Sequence, residues 1–242
     1  MFPQLKHKAV SGTAILITKS LVFQVFNTGS NIIIARLLIP QAFGVFAIIS
    51  FVVTIFSFFC DIGLNIALIQ KQTEPTTPEL RAVFTLQFLL SLLSSLILWL
   101  LAPIIIAYYG SQLDTNTTLQ LRLLVLTLPL TTIGNVSRAL AERHLQYVKV
   151  TLADFVNLLL AKGLVIPLAL LGLTVPALVI SDILAKLGSS LTYLILSPWK
   201  FGLSIKWKEL KPLVSFGLAY QLSVWVLTAG GAVLPIYIGK YP

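Results

Sequence analysis

The sequence predicts an all-α, polytopic membrane protein, and three observations carry that expectation. Hydrophobic residues make up 57% of the 242 and charged residues only 10%, with a mean hydropathy of +0.94. In an ordinary soluble domain about a quarter of residues are charged. Seven apolar runs recur at roughly 13–37, 43–69, 81–108, 119–139, 150–171, 174–198 and 213–239, and each meets the about 20 helical residues that a bilayer core requires. Within these runs polar residues sit at the ends and at isolated points. A soluble helix would show a continuous polar stripe, so lipid is the better solvent for the outer faces.

The formal charge of +9 invites a nucleic-acid partner, but its distribution points to the bilayer. With the N-terminus in the cytoplasm, 11 of the 17 basic residues fall on inner segments and their borders: Lys6, Lys8, Lys71, Arg81, Arg138, Arg143, Lys149, Lys200, Lys206, Lys208 and Lys211. The outer ends hold Arg36, Arg122 and Lys240, and Lys19, Lys162 and Lys186 lie within spans. This is the positive-inside pattern, and it orients the chain with its N-terminus in the cytoplasm. The first run is too long for a cleaved signal, and six more follow it. Cys60 is the single cysteine, so no intramolecular disulfide or CxxC site is available.

Residues 1–12 read as a cytoplasmic arm. In span one, Gln24, Asn27 and Asn31 recur at helical spacing on one face. Polar groups in hydrocarbon need partners, so that face should look into a cavity or a neighbouring helix. From Asn31 to Gln70 two apolar runs meet at the hinge Leu37-Leu38-Ile39-Pro40-Gln41-Ala42-Phe43-Gly44 and form a membrane hairpin. The second run breaks at Asp61, Gly63 and Asn65. Asp61 is either an acceptor for neighbouring donors near the inner surface or a group in conformational coupling.

Pro78-Glu79 suits the first turn of span three, with proline near the N-terminus and an acid by the positive end of the dipole. Arg122 enters span four just below the outer surface, where it either snorkels to headgroups or meets substrate. Pro129 should kink that span and free a carbonyl. The inner loop around Arg143-His144 has no second His or Cys at ligand spacing, so no metal role is assigned.

Span five carries Asp154, Asn157 and Lys162; span six carries Asp182 and Lys186, four apart on one face. Mid-membrane charges must face one another or a wet cavity. Two readings follow: a structural Lys162–Asp182 ion pair, or surplus positive charge lining a path for an anionic substrate. Residues 199–212 form a basic, tryptophan-containing linker suited to the inner headgroup layer.

Span seven ends in Ile238-Gly239-Lys240, which repeats the Ile34-Ala35-Arg36 end of span one in the same orientation. Parallel repeats separated by an even number of helices have this form. The expected organisation is therefore a six-helix lobe at 13–198, the linker at 199–212, and the first helix of an incomplete second lobe at 213–242, a truncated transporter.

Four segments, in order along the chain, resemble the polysaccharide-transport (Wzx-like) branch of the MOP flippase superfamily. They are Ala35 to Gly44, Asp61 to Gln70, Glu142 to Tyr147, and Ser197-Pro198-Trp199. The resemblance implies the N-terminal half of a two-lobed flippase in the cytoplasmic (inner) membrane, moving polyprenyl-diphosphate-linked oligosaccharide by alternating access. On that reading Lys19, Lys162 and Lys186 would meet the diphosphate, and Gln24 and Asn27 the sugar hydroxyls. Arg36 and Arg122 would stand at the outer exit. Asp61, Asp154 and Asp182 would serve proton or sodium coupling or gating. Polysaccharide polymerase or assembly proteins are the expected protein partners. No nucleophile, metal cluster or phosphate-binding glycine loop is seen, so neither an enzyme nor a cofactor is expected. Two alternatives are a cation-coupled drug antiporter of the same superfamily and a non-transporting scaffold subunit of an envelope polysaccharide complex.

Overall fold

The structure, a computed structural model, describes the backbone of residues 2–109, 115–204 and 206–240, and side chains at 18–109, 116–204, 206–207 and 209–224. The side chains of Lys6, Lys8, Lys208 and Lys240 and residues 110–114 lie outside the described residues. The described backbone is helical throughout its elements: α1 (Phe2–Leu37), α2 (Pro40–Cys60), α3 (Leu64–Gln70), α4 (Thr77–Tyr108), α5 (Thr115–Leu124), α6 (Thr127–Arg143), α7 (Tyr147–Gly163), α8 (Val165–Leu170), α9 (Val175–Leu196) and α10 (Trp207–Lys240). Helix α1 starts at Phe2, so the stretch expected as an arm continues directly into the first span. Five stretches among the described residues are long and apolar enough to cross a membrane: Pro40–Cys60, Thr77–Tyr108, Asn116–Arg143, Tyr147–Leu170 and Val175–Leu196.

The ten helices arise from seven spans because three spans are broken, each at a residue that disrupts the backbone ladder. Gly63, at φ 78°, adopts a left-handed conformation that separates α2 from α3. Pro129 has no N–H for the carbonyl of Val125, one turn back. That carbonyl instead accepts from the N–H of Leu128 at 3.1 Å and from Ser95 Oγ at 3.4 Å, and the chain bends between α5 and α6. Pro167 does the same to the carbonyl of Gly163, where α7 gives way to α8. At the first hinge Ile39 is extended, as a residue before proline must be, and Pro40 opens α2.

Helix α9 is the centre of the lobe. It packs on α7 and α6 most extensively and also touches α2, α5 and α8; α1 lies on α7, and α4 on α2 and α6. Close approach is made possible by small residues. A β-carbon at Gly134 would stand 2.9 Å from Ser190 Cα, and one at Gly188 would stand 2.4 Å from Leu160 Cδ1. Helix α10 docks on α3 and α4, burying Leu210 and Leu213 with Leu64, Leu68 and Val83.

The two ends of the lobe differ. At the end carrying Arg81, Arg143 and Lys200, hereafter the basic end, the linker lies against α4. Phe84 meets Phe201 at 4.5 Å and Trp199 at 5.6 Å between ring centroids, and Arg81 Nε donates to Lys200 O at 3.1 Å. The opposite end holds the α1–α2 hinge, where Ile34 and Leu38 are buried with Val165 and Leu178.

Candidate functional site

Polar side chains converge on α9 from two sides. On α9 itself Asp182, Lys186, Ser189, Ser190 and Tyr193 follow helical spacing. Helix α6 brings Thr131, Gly134, Asn135 and Arg138, one to two turns of a single face, and α7 brings Asp154 and Asn157. Together these enclose a polar cavity of about 150 Å³ with Lys186 through Tyr193 of α9 as one wall. A second cavity, of about 330 Å³, lies between α2, the α5–α6 bend and α9. Its lining includes Ser50, Thr54, Ser57, Thr127 and Thr131 together with Asp182 and Lys186. Thr131 and Lys186 belong to both walls, so the two cavities meet at the middle of the lobe.

The charges of the smaller cavity are linked. Asp154 accepts from Lys19 Nζ at 2.5 Å and from Tyr193 Oη at 2.8 Å. The Arg138 guanidinium lies 5.9 Å from the centre of the Tyr193 ring and donates through Nε to Glu142 at 2.8 Å. Asn157 Nδ2 donates to Ser189 Oγ at 3.2 Å. Nothing among the described residues lies within hydrogen-bonding or ion-pair distance of Asp182 or of the Lys186 ammonium. A mid-membrane cation and acid without direct partners require water or a polar ligand, and the cavities supply the room for one.

The sequence candidates divide into those the fold gathers and those it separates. Lys186, Asp182 and Asp154 line the cavities, and Lys19 reaches the site through Asp154. Lys162 stands outside both linings and donates to Asn31 Oδ1 at 2.8 Å; it makes no ion pair with Asp182. Gln24 is exposed and Asn27 half-buried on α1, and Arg36 is exposed at the far end of that helix. Asp61 lies at the α2–α3 break, where it accepts from Asn65 Nδ2 at 2.7 Å and from the fully buried Gln87 Nε2 at 2.9 Å. Arg122, on α5, lines neither of these cavities; it is on the face opposite Leu124 and donates through Nε to Trp99 O at 3.3 Å.

Sequence reasoning counted Arg138 among the basic residues of an inner loop and passed over Tyr193 as a site residue. The signal for Arg138 was the spacing Thr131-Asn135-Arg138, which places it one turn below two polar residues of its own helix face. Arg143, also counted as a loop charge, caps α3: its Nη1 and Nη2 donate to the carbonyls of Leu68, Ile69, Lys71 and Thr73 at 2.7–3.0 Å.

A bundle of broken, membrane-length helices with polar and charged cavity walls inside and apolar side chains outside is that of a polytopic membrane protein. The chain belongs to the family described as Polysaccharide biosynthesis protein, whose profile it matches over residues 33–241. A crystal structure of a MATE mutant is similar to it with a TM-score of 0.55 at 16% identity, over 90% of this chain and 51% of that one. The chain thus spans about half the length of that MATE chain. No curated protein matches it.

Proposed function

We propose that the chain forms one lobe of a flippase for polyprenyl-diphosphate-linked oligosaccharide in the cytoplasmic membrane, with its N-terminus in the cytoplasm. The observation that carries this reading is Lys186, a cation with no direct hydrogen-bond or ion-pair partner among the described residues, at the junction of two cavities walled by hydroxyls, amides and Arg138. Guanidinium and ammonium groups suit a diphosphate. Asn135, Asn157, Ser189 and Thr131 offer the donors and acceptors that sugar hydroxyls need. The apolar exterior leaves the prenyl tail in lipid. The polysaccharide biosynthesis family supports the substrate class.

In this mechanism the headgroup enters the polar seam at the basic end, is held at Arg138 and Lys186, and leaves at the opposite end after the lobe rocks against a second one. The Lys19–Asp154–Tyr193 chain ties α1 to α7 and α9, so the three helices would move together. Asp182, close to Lys186 in sequence and free of direct partners among the described residues, is the acid through which proton or sodium coupling would act. Lys162, Gln24, Asn27 and Arg36 extend the polar surface of α1 and α7 beyond the cavities. Arg122 is given no part in headgroup transfer. Polymerase or assembly proteins would receive the product.

The test is translocation of a fluorescent lipid-linked oligosaccharide in proteoliposomes, read by accessibility of the sugar to an impermeant quencher. Lys186→Gln and Arg138→Gln should each slow translocation at least about tenfold, the equivalent of losing one charge-assisted contact. Wild-type rates in the double variant would overturn the assignment of the cavity.

A further inference from the structure

We infer that the groove between α4 and α5 is a binding site for an anionic glycerophospholipid, with an acyl chain in the groove and the phosphate on Arg122. The groove measures about 440 Å³ and is lined by Leu96, Trp99, Leu119, Leu123 and Leu126, with Ser95 and Val125 at its floor. Its one charged lining residue is Arg122. This site is separate from the transport cavities and does not rest on the function proposed for them.

The position of Arg122 follows from a proline on the neighbouring helix. Pro103 cannot donate to the carbonyl of Trp99 four residues back. Arg122 Nε supplies the missing bond at 3.3 Å, and its guanidinium lies over the Trp99 indole at 5.0 Å. The side chain is thereby held flat at the groove mouth. Its two terminal nitrogens have no acceptor among the described residues. Two parallel N–H groups of a guanidinium match two phosphate oxygens, and an arginine at the edge of hydrocarbon is satisfied by such an anion.

The depth is suitable. Helix α4 has 32 residues and is therefore about 48 Å long, against a hydrocarbon core of about 30 Å. Centred in the bilayer, it extends about 9 Å beyond the core at each end, so Trp99, about 13 Å from the helix end, lies about 4 Å inside the boundary. A guanidinium reaching toward the surface from there meets the phosphate layer of the leaflet at the Tyr108 end. Leu96, Leu123 and Leu126 of the groove lie deeper, at acyl-chain level, and Leu119 stands about one turn nearer the surface than Arg122.

The experiment is native mass spectrometry of the full chain released from nanodiscs holding equal amounts of phosphatidylglycerol and phosphatidylcholine. The wild type should retain one phosphatidylglycerol with about a tenfold preference, an affinity difference of the size a bidentate phosphate contact provides. Arg122→Gln should bring the two lipids to parity. Leu123→Trp, which fills the groove from an outward-facing position and keeps the charge, should abolish retention of either lipid. If Arg122→Gln fails to fold, Leu123→Trp decides. Equal retention of both lipids by the wild type, or an unchanged preference in Arg122→Gln, would overturn the site and leave Arg122 serving only the Trp99 carbonyl.

Discussion

Gly63 and Gly217 meet backbone to backbone: a β-carbon at Gly63 would stand 2.2 Å from the carbonyl oxygen of Gly217. This contact seats α10 on the break between α2 and α3. No side chain mediates it, so the fit has no slack. Gly63 also holds a left-handed φ of 78°, which costs an L-residue with a side chain about 1–2 kcal/mol before any clash is counted. Gly63→Ala should therefore lower the thermal midpoint of the purified protein by at least about 2–8 °C. Gly217→Ala, whose β-carbon would stand 2.7 Å from Ile62 O, should act in the same direction through the clash alone. Unchanged midpoints in both variants would mean that α10 is not seated here.

Arg143 should behave as a structural residue. Four carbonyls at and beyond the C-terminus of α3 converge on its guanidinium, and a helix of seven residues has few other means of satisfying them. Arg143→Ala should cost about 2–4 kcal/mol. Arg143→Lys should recover little, because one ammonium cannot span the fan of acceptors that a planar guanidinium reaches. Limited proteolysis between residues 64 and 75 measures the effect; equal protection in wild type and Arg143→Ala would refute it.

Lys19 and Asp154 should show a modest positive coupling. Their side chains are 18% and 24% exposed, which places the pair between the fully screened and fully buried limits. A coupling energy of about 1 kcal/mol is expected from a double-mutant cycle of Lys19→Gln and Asp154→Asn, read by thermal unfolding. Asp154→Asn alone should cost more than Lys19→Gln, because it also weakens the acceptor of the Tyr193 hydroxyl. Additive single effects would show that α1 is not tied to α7 by this pair.

Pro103 and Arg122 should be coupled through a carbonyl that neither owns. Pro103→Ala restores an N–H for Trp99 O and removes the vacancy that Arg122 Nε fills. The stability cost of Arg122→Gln should be smaller in the Pro103→Ala background than in the wild type, by about 0.5–1.5 kcal/mol, the net value of one hydrogen bond. Equal costs in both backgrounds would detach the arginine from the proline.

Much of the architecture was legible along the chain because hydrocarbon imposes a one-dimensional constraint. Every backbone polar group in the bilayer core must be satisfied within its own helix, so length and hydropathy alone located the spans that the helices occupy. Three breakers were legible too: Pro40, Gly63 and Pro129 act locally, by removing a donor or adopting a conformation others avoid; the break at Pro167 was not read from the sequence. Asp182 and Lys186 were found for the same reason, since a charge in an apolar run is conspicuous wherever it points.

Partnership was decided only in three dimensions. The composition of spans five and six allowed Lys162 to pair with Asp182, yet Lys162 meets Asn31 of α1 and Lys19 meets Asp154. Which charges meet depends on the rotation of each helix about its axis, and that rotation is set by packing: Gly134 against Ser190, Gly188 under Leu160, Phe155 against Phe23 and Phe26. The same packing turned Arg122 away from the interior and brought Arg138 into it. The sequence by itself determined that this chain lives in a membrane as a bundle of broken helices with charges to hide. The tertiary structure decided which of those charges face one another, because contacts between non-neighbouring helices have no signature in the order of the residues.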